Sequence, residues 1–539
     1  MKRFADIFTK KNIAIALILG AIAAAAWIFG AKLLFLRRDG EDGNTGGATF
    51  TRPLERVSSL DPIKAQSVYA ARAVLLYAET PLTVDYRARP YRLGPGLCEL
   101  PQVSADGLEY TLKMVEDAPL GASDVKRALE RIRDPNEVSP GGWTMENVDA
   151  IKLQDERTLV IRLKKRSHVF PWMLSMAYTA VLDKDGNGTG PYKLAVWRKN
   201  HEMSFVRNHS WRGWKNNDCP FERINYLTID EAPTQWLMFL KGELDFLGEV
   251  SRDNWDAVVD GEGNLDKRLA EKGIRMAVSP SLDIRYIGFN MRDSVLGNNV
   301  ALRRALTCAF DFQAWRNFYN GRIDFADGPV PVDLAGHLDE APPYTFDIER
   351  AKALLDEAGY PGGIDPATGR RLVLSLSIGR PTQDSREAGE LLASFFARIG
   401  VKLELKFHTW EAFLDAVNNG RCQMYMMGWV GDYPDAENFL QLFITKNSSP
   451  GSNHSCYSNP LYDAEYELAM EATSEEERIL HWKNCQRILR EDCPWIFTHF
   501  PKSYSLLQPT VGNYVPSAFP YGDERFYRAN KANVGENAK

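Results

Sequence analysis

Asp347-Ile-Glu-Arg-Ala-Lys-Ala-Leu-Leu-Asp-Glu-Ala-Gly359, Leu372-Val-Leu-Ser-Leu-Ser-Ile378, Ala388-Gly-Glu-Leu-Leu-Ala-Ser-Phe-Phe-Ala-Arg-Ile-Gly400, Val401-Lys-Leu-Glu-Leu-Lys-Phe407 and Gln423-Met-Tyr-Met-Met-Gly-Trp429 decide the fold class of this 539-residue chain. Asp347 is placed to cap a helix that carries Ala351, Leu354, Leu355 and Ala358 on one face and stops at Gly359. Leu372, Leu374, Leu376 and Ile378 recur at every second position, the period of a strand. Ala388, Leu391, Leu392, Phe395 and Ile399 return to helical spacing and end at Gly400. Val401, Leu403, Leu405 and Phe407 then alternate with Lys402, Glu404 and Lys406. Phe413 and Val417 mark another helix, closed by Gly420, and residues 423–429 form an apolar strand. This β-α-β-α-β order predicts an α/β fold with parallel strands covered by helices. Ligands of such sheets gather at the carboxyl ends of the strands, so the loop after Trp429 is the first candidate site.

Upstream, residues 48–166 mix short strands and helices. Ser104-Ala-Asp-Gly107 reads as a tight turn before an alternating strand over residues 108–114. Ser123 is placed to N-cap a helix through Ile132, and Asp155-Glu156 turns the chain into a strand at Thr158–Leu163. No internal repeat is visible. Hydrophobic residues make up 44% and charged residues 25%, enough to bury a core rather than leave a disordered tail. The 65 basic against 71 acidic residues argue against a nucleic-acid binder, which carries a basic domain or stripe.

Catalytic and metal motifs are tested and set aside. Asp183-Lys-Asp185-Gly-Asn187-Gly188 begins like a calcium loop, but its twelfth position is Leu194 where a bidentate Glu is required. Gly186, Gly188 and Gly190 lack the Lys-Ser/Thr of a phosphate loop, and Pro191 removes a donor. The 8 histidines form no close ligand pair, the 7 cysteines form no CxxC, and no GxSxG elbow occurs. Nothing in the sequence points to catalytic residues, a metal or a cofactor, while a hydrolase whose triad assembles only in three dimensions stays open. Most of the 13 tryptophans and 21 tyrosines are expected in the core, with an aromatic-lined pocket as the sharper alternative.

Residues 13–31 carry no charge, and at ~1.5 Å rise they span roughly 28 Å, the hydrocarbon thickness of a bilayer. Lys2, Arg3, Lys10 and Lys11 precede them, which orients the amino terminus to the cytoplasm and the rest outside. The reading is a cytoplasmic N-terminus at 1–12, a transmembrane helix over 13–36 and a flexible linker over 37–49, with signal cleavage near Ala23-Ala-Ala-Ala26 as the rival. The remainder then faces an oxidising compartment, and an odd cysteine count leaves at least one thiol unpaired within the chain.

The motifs Ser59-Leu-Asp-Pro62, Val103-Ser-Ala-Asp-Gly-Leu-Glu-Tyr-Thr-Leu112, Ala122-Ser-Asp-Val125, Gly188-Thr-Gly-Pro-Tyr192, Gly242-Glu-Leu-Asp245 and Gly288-Phe-Asn290 occur in a fixed order. Leu302-Arg-Arg-Ala-Leu306, Ala309-Phe-Asp311, Ala351-Lys-Ala-Leu-Leu-Asp-Glu-Ala-Gly-Tyr360, Gly428-Trp-Val-Gly-Asp-Tyr-Pro-Asp435 and Tyr457-Ser-Asn-Pro460 continue it. In that order they resemble the family 5 extracellular solute-binding proteins, the peptide/nickel type that feeds ABC importers. One departure is the short stretch at 115–120, where the family often carries a longer Phe-His-Asp-Gly segment.

The resemblance implies a two-lobed periplasmic-binding-protein type II fold with an extra domain. Lobe I would take 50–80, 188–280 and 498–539, the extra domain 81–187, and lobe II 281–497. It implies a monomer on the periplasmic or extracellular face that binds a peptide ligand by hinge closure and docks on ABC-transporter permease subunits. By the same resemblance Asp432 pairs with a peptide's α-ammonium, since a buried ammonium needs a carboxylate to offset its desolvation. The backbone of Gly428, Trp429 and Val430 would pair with the extended ligand, and Arg380 would fork onto its carboxylate. The bland readings are a turn-capping role for Asp432, a helix N-cap for Asp435 and a solvated loop position for Arg380. The fold leaves other ligands open: a nickel complex, an opine, an oligosaccharide, or an anchored sensor with no transport role.

Overall fold

Val373–Gly379 lies between two parallel neighbours, Lys402–His408 and Met424–Val430, as the period of the sequence requires. The helices Ile348–Glu357, Gln383–Ala397 and Trp410–Asn418 precede and connect these strands. Asp347 caps the first of them, its carboxylate accepting the Arg350 N–H at 3.0 Å, and the turn at Gly359 has φ +88°. This computed structural model describes residues 47–530 apart from Gln66, 217–218, Glu249, 251–253, 261–262, Arg380 and 519–521.

Antiparallel strands from distant parts of the chain extend the sheet to eight strands among the described residues. Asp283–Phe289 pairs with Met424–Val430 along its whole length, and Trp495–Leu507 pairs with Asp283–Phe289 on the other side. Alternation sends Met424, Leu374, Leu376 and Ile378 into one buried layer, with Leu392, Phe395 and Phe396 of the covering helix. Ile284, Tyr286, Tyr425 and Met427 face the opposite layer, with Phe439, Tyr462 and Trp482. Tyr286 stacks on Trp495 with centroids 3.4 Å apart, so these aromatics serve the core, as expected of most of them.

The strand Trp495–Leu507 is long enough to change partners. Its first residues pair with Asp283–Phe289, whereas residues 502–507 pair with Arg275–Pro280. A separate four-stranded sheet joins Thr49–Pro53, Arg223–Leu227, Glu202–Arg207 and Tyr192–Arg198. A third, antiparallel sheet holds Gln102–Val103, Glu109–Lys113, Thr158–Leu163 and Val148–Asp155, with the helix Ala122–Arg133 on one face.

That helix starts earlier than the expected Ser123 cap. Gly121 is the N-cap, and the Asp124 carboxylate reaches back to its N–H at 3.0 Å, which satisfies the first turn without Ser123. Gly188 and Gly190 have a packing reason to be glycine. A Cβ at Gly188 would meet the Tyr77 carbonyl oxygen at 1.9 Å, and the Gly190 N–H donates to that same oxygen at 2.9 Å. Asp183 closes its own turn, its Oδ1 accepting the Asp185 and Asn187 N–H groups at 2.9 and 2.8 Å. All seven cysteines are free thiols, six of them buried and Cys219 half-buried.

The expected transmembrane segment at 13–36 lies outside the described residues, as does Arg380. Among the described residues no helix is long and apolar enough to cross a membrane.

Candidate functional site

Asp432 stands just beyond the carboxyl end of Met424–Val430, where the parallel-sheet argument placed the search. That strand pairs with Val373–Gly379 only as far as Met426, while its ladder with Asp283–Phe289 runs on to Val430. The Gly431 N–H extends the second ladder by donating to the Leu282 carbonyl at 2.7 Å. A Cβ on Gly431 would sit 3.0 Å from the Phe439 ring, so the small residue lets the chain turn tightly there. Asp435 then opens the short helix Glu437–Leu440, its carboxylate accepting the Glu437 N–H at 2.9 Å. This is close to the capping role expected for it, although Ala436 occupies the N-cap position itself.

Asn438 on that helix is buried and ties the loop together. Its Oδ1 accepts the Trp429 indole N–H at 2.8 Å and the Asp432 backbone N–H at 3.2 Å. The Asp432 carboxyl is half-buried, and burial raises its pKa to about 6, partly relieved by a hydrogen bond from the Asn438 side chain. Among the described residues no cation pairs with it. Asp435 differs sharply: Arg478 Nη2 lies 2.7 Å from its Oδ1, with both side chains nearly buried. Two neighbouring carboxylates are thus divided, one neutralised inside the protein and one held without a counter-charge.

Asp432 lines a cavity of about 100 Å³. One wall is a helical face, Val68, Ala71 and Leu75 of Val68–Tyr77, whose N-cap Ser67 accepts the Ala70 N–H at 3.1 Å. Thr83, Val84 and Tyr86 form a second wall, and Met176, Ala177 and Tyr178 a third. Burial, with a smaller contribution from the Asp432 charge, pushes the Tyr178 phenol above the ordinary range.

The cavity also holds a cation, Arg525. Its Nη2 donates to Thr83 Oγ1 at 3.1 Å, and its guanidinium lies 4.9 Å from the centre of the Phe526 ring. The turn that carries it is fixed by a buried ion network. Arg72 Nη1 lies 2.9 Å from both Asp523 Oδ1 and Glu524 Oε1, and Arg52 reaches Glu524 at 3.1 Å. The Tyr527 hydroxyl adds a hydrogen bond to Asp523 Oδ2 at 2.5 Å.

Of the residues singled out from sequence, Asp432 faces this cavity. Trp429 acts on it indirectly, through Asn438. Gly428 lies beneath Arg285, whose Nη1 would be 2.1 Å from a Cβ there, and Val430 is 48% exposed; neither lines the cavity. Sequence reasoning missed Arg525, Tyr86 and Tyr178. Gly-Asp-Glu-Arg525 carries no motif, and two acids before an arginine read as a solvated turn. Among the described residues no three His, Cys, Asp or Glu side chains are grouped to hold a metal ion.

The chain is 26% identical over 485 residues to heme-binding protein A of Haemophilus influenzae, covering 82% of this chain and 85% of that one. It is 24% identical over 503 residues to the dipeptide-binding protein of Escherichia coli, covering 85% and 90%. The solved structure of HbpA2 from Haemophilus parasuis superposes with a TM-score of 0.77 at 23% identity, over 89% of this chain and 100% of that chain, and so shares its fold. Residues 92–451 match the model of the bacterial extracellular solute-binding proteins, family 5. The chain belongs to the family 5 bacterial extracellular solute-binding proteins.

Proposed function

We propose that this protein is the substrate-binding component of an ABC importer and that it binds peptides, with Asp432 receiving the ligand's α-ammonium. The observation that carries this reading is the half-buried Asp432 carboxylate on the cavity wall, short of a counter-charge among the described residues. A buried carboxylate without a cation costs several kcal/mol, and an arriving ammonium removes that cost. The dipeptide-binding relative supports the same ligand class. The end of pairing at Met426 leaves a strand edge at Gly428, Trp429 and Val430, outside the cavity lining itself, which supports strand-like addition of a ligand that extends beyond the cavity.

Closure about a hinge is the working mechanism. Lobe I takes 50–80, 188–280 and 498–539, the extra domain 81–187, and lobe II 281–497. Two chain crossings join lobe I to lobe II, near Ser281 and Pro501, and the Ser281 N–H donates to the Pro501 carbonyl at 3.1 Å. The cavity is lined from all three parts, so a bound solute favours the closed form by touching each. A monomer closed in this way would dock on permease subunits. An anchor at 13–36 would hold it on the periplasmic or extracellular face, and Arg380 would be a further ligand contact.

Isothermal titration with di- to pentapeptides is the direct test. Micromolar or tighter binding of a peptide is expected. Heat from hemin, a sugar or a nickel chelate, with none from any peptide, would sink the peptide reading.

A further inference from the structure

Seven aromatic side chains line a second cavity, of about 280 Å³, that shares no lining residue with the Asp432 cavity. Its walls come from separate segments. Trp495 and Phe497 stand on the long strand, and Phe325 on Ile323–Phe325, which pairs with that strand. Phe310 and Phe312 lie where the helix Val300–Ala309 gives way to Phe312–Phe318. Phe312 meets Phe325 edge-on with centroids 4.9 Å apart. Tyr344 carries two guanidinium groups on its ring, Arg304 at 4.9 Å and Arg350 at 4.7 Å, and its hydroxyl donates to Glu491 at 3.3 Å. Walls fixed in this way spare an incoming solute the cost of ordering them. Phe325 and Phe346 nevertheless stay 37% and 44% exposed, so a solute seated against them would cover apolar surface now open to water.

One end of the cavity is polar but carries no net charge. Asp327 Oδ2 lies 3.0 Å from Arg490 Nη2 and 3.6 Å from His337 Nε2. The nearly buried Arg490 also donates to the Glu340 and Leu338 carbonyls at 2.6 and 2.8 Å. The carboxylate charge is thus met inside the protein, and an ionic solute finds no free counter-charge there. Asp327 Oδ1 differs. It is buried and, its own backbone N–H apart, meets no donor among the described residues. A buried acceptor left open favours a solute that brings one N–H to it. Size narrows the choice further: benzene fills an apolar cavity of about 150 Å³, so about 280 Å³ suits two fused rings.

We propose that this cavity is a second ligand site, and that it takes a neutral fused-ring aromatic solute whose single N–H bonds Asp327 Oδ1. Indole is the simplest such molecule. Neither this site nor its ligand depends on what the Asp432 cavity binds.

Calorimetric titration of the full chain with indole and with benzofuran, which has the same shape and no N–H, is the test. Indole is expected to bind with a Kd on the order of 0.1 mM. Benzofuran is expected to bind about tenfold more weakly, the worth of one hydrogen bond to an open acceptor. Absence of indole binding at millimolar concentration, or equal affinity for the two, overturns the assignment. In Asp327→Asn the one amide oxygen turns to Arg490 and the NH2 group replaces the acceptor, so the preference for indole is expected to shrink to roughly twofold or less. An undiminished preference overturns Asp327 as the acceptor. Thr345→Trp, at an exposed position on the cavity lining, is expected to fill the space and cut indole affinity roughly tenfold or more, with an unchanged melting curve. If Asp327→Asn fails to fold, as judged by its melting curve, Thr345→Trp decides. Unaltered indole affinity in that variant places the solute elsewhere and overturns the site.

Discussion

Asn438 Oδ1 lies 3.2 Å from the Asp432 backbone nitrogen, so the residue that anchors the loop is buried while the residue it anchors faces the cavity. The same oxygen accepts the Trp429 indole N–H at 2.8 Å, which ties the strand end to the loop. Position and charge are thereby supplied by different side chains.

Asp432→Asn is expected to stabilise the empty protein at neutral pH. The folded-state pKa of about 6 lies above the ordinary 3.8, so folding disfavours the charged form. The resulting penalty is absent below pH 4, grows between 4 and 6, and is complete above 6. It amounts to roughly 3 kcal/mol. Melting curves at pH 7.5 and pH 4 should therefore show a higher Tm for the variant only at the higher pH. Coincident curves at pH 7.5 would count against the buried-carboxylate picture.

Peptide affinity should rise with pH through about 6. Asp432 must shed its proton before it pairs with an ammonium, so below that value the affinity falls by about tenfold per pH unit. Titrations at pH 5.5 in buffers of different ionisation enthalpy should report proton release on binding. Proton uptake, or none, would exclude Asp432 as the partner.

Asn438→Ala separates positioning from charge. It leaves two donors, the Trp429 indole and the Asp432 amide, without their acceptor, at a cost of about 2–3 kcal/mol in stability. Peptide affinity is expected to fall by roughly tenfold because Asp432 loses its fixed geometry. Unfolding by urea and calorimetry check the two parts separately.

Arg478→Leu tests the other carboxylate. It removes the cation 2.7 Å from Asp435 and leaves a nearly buried charge unpaired, for a loss of about 3–5 kcal/mol. Binding by the folded variant should stay within about twofold, given that the pair lies outside the cavity lining. A variant as stable as the wild type would show that Asp435 is neutralised by something else.

Much of the fold was legible because its signals are local. The period-2 positions Leu374, Leu376 and Ile378 and the caps at Asp347 and Gly359 depend on neighbours a few residues away, and all lie where the spacing placed them. The Ser123 cap failed because the helix begins two residues earlier, at Gly121, whose N–H the Asp124 carboxylate accepts. Asp432 was reached through a motif and a topological rule about strand ends.

Sequence alone therefore determined the parallel strands, the helices that cover them and the loop that carries the candidate carboxylate, because hydrophobic period and capping chemistry act over single turns. Only tertiary structure decided the rest. It brought Trp495–Leu507 against Asp283–Phe289, gave Asp435 an arginine and Asp432 none among the described residues, and set Arg525 in the same cavity. Whether a carboxylate is neutral, paired or waiting depends on what the folded chain places beside it, and such neighbours are fixed by packing between segments far apart in sequence.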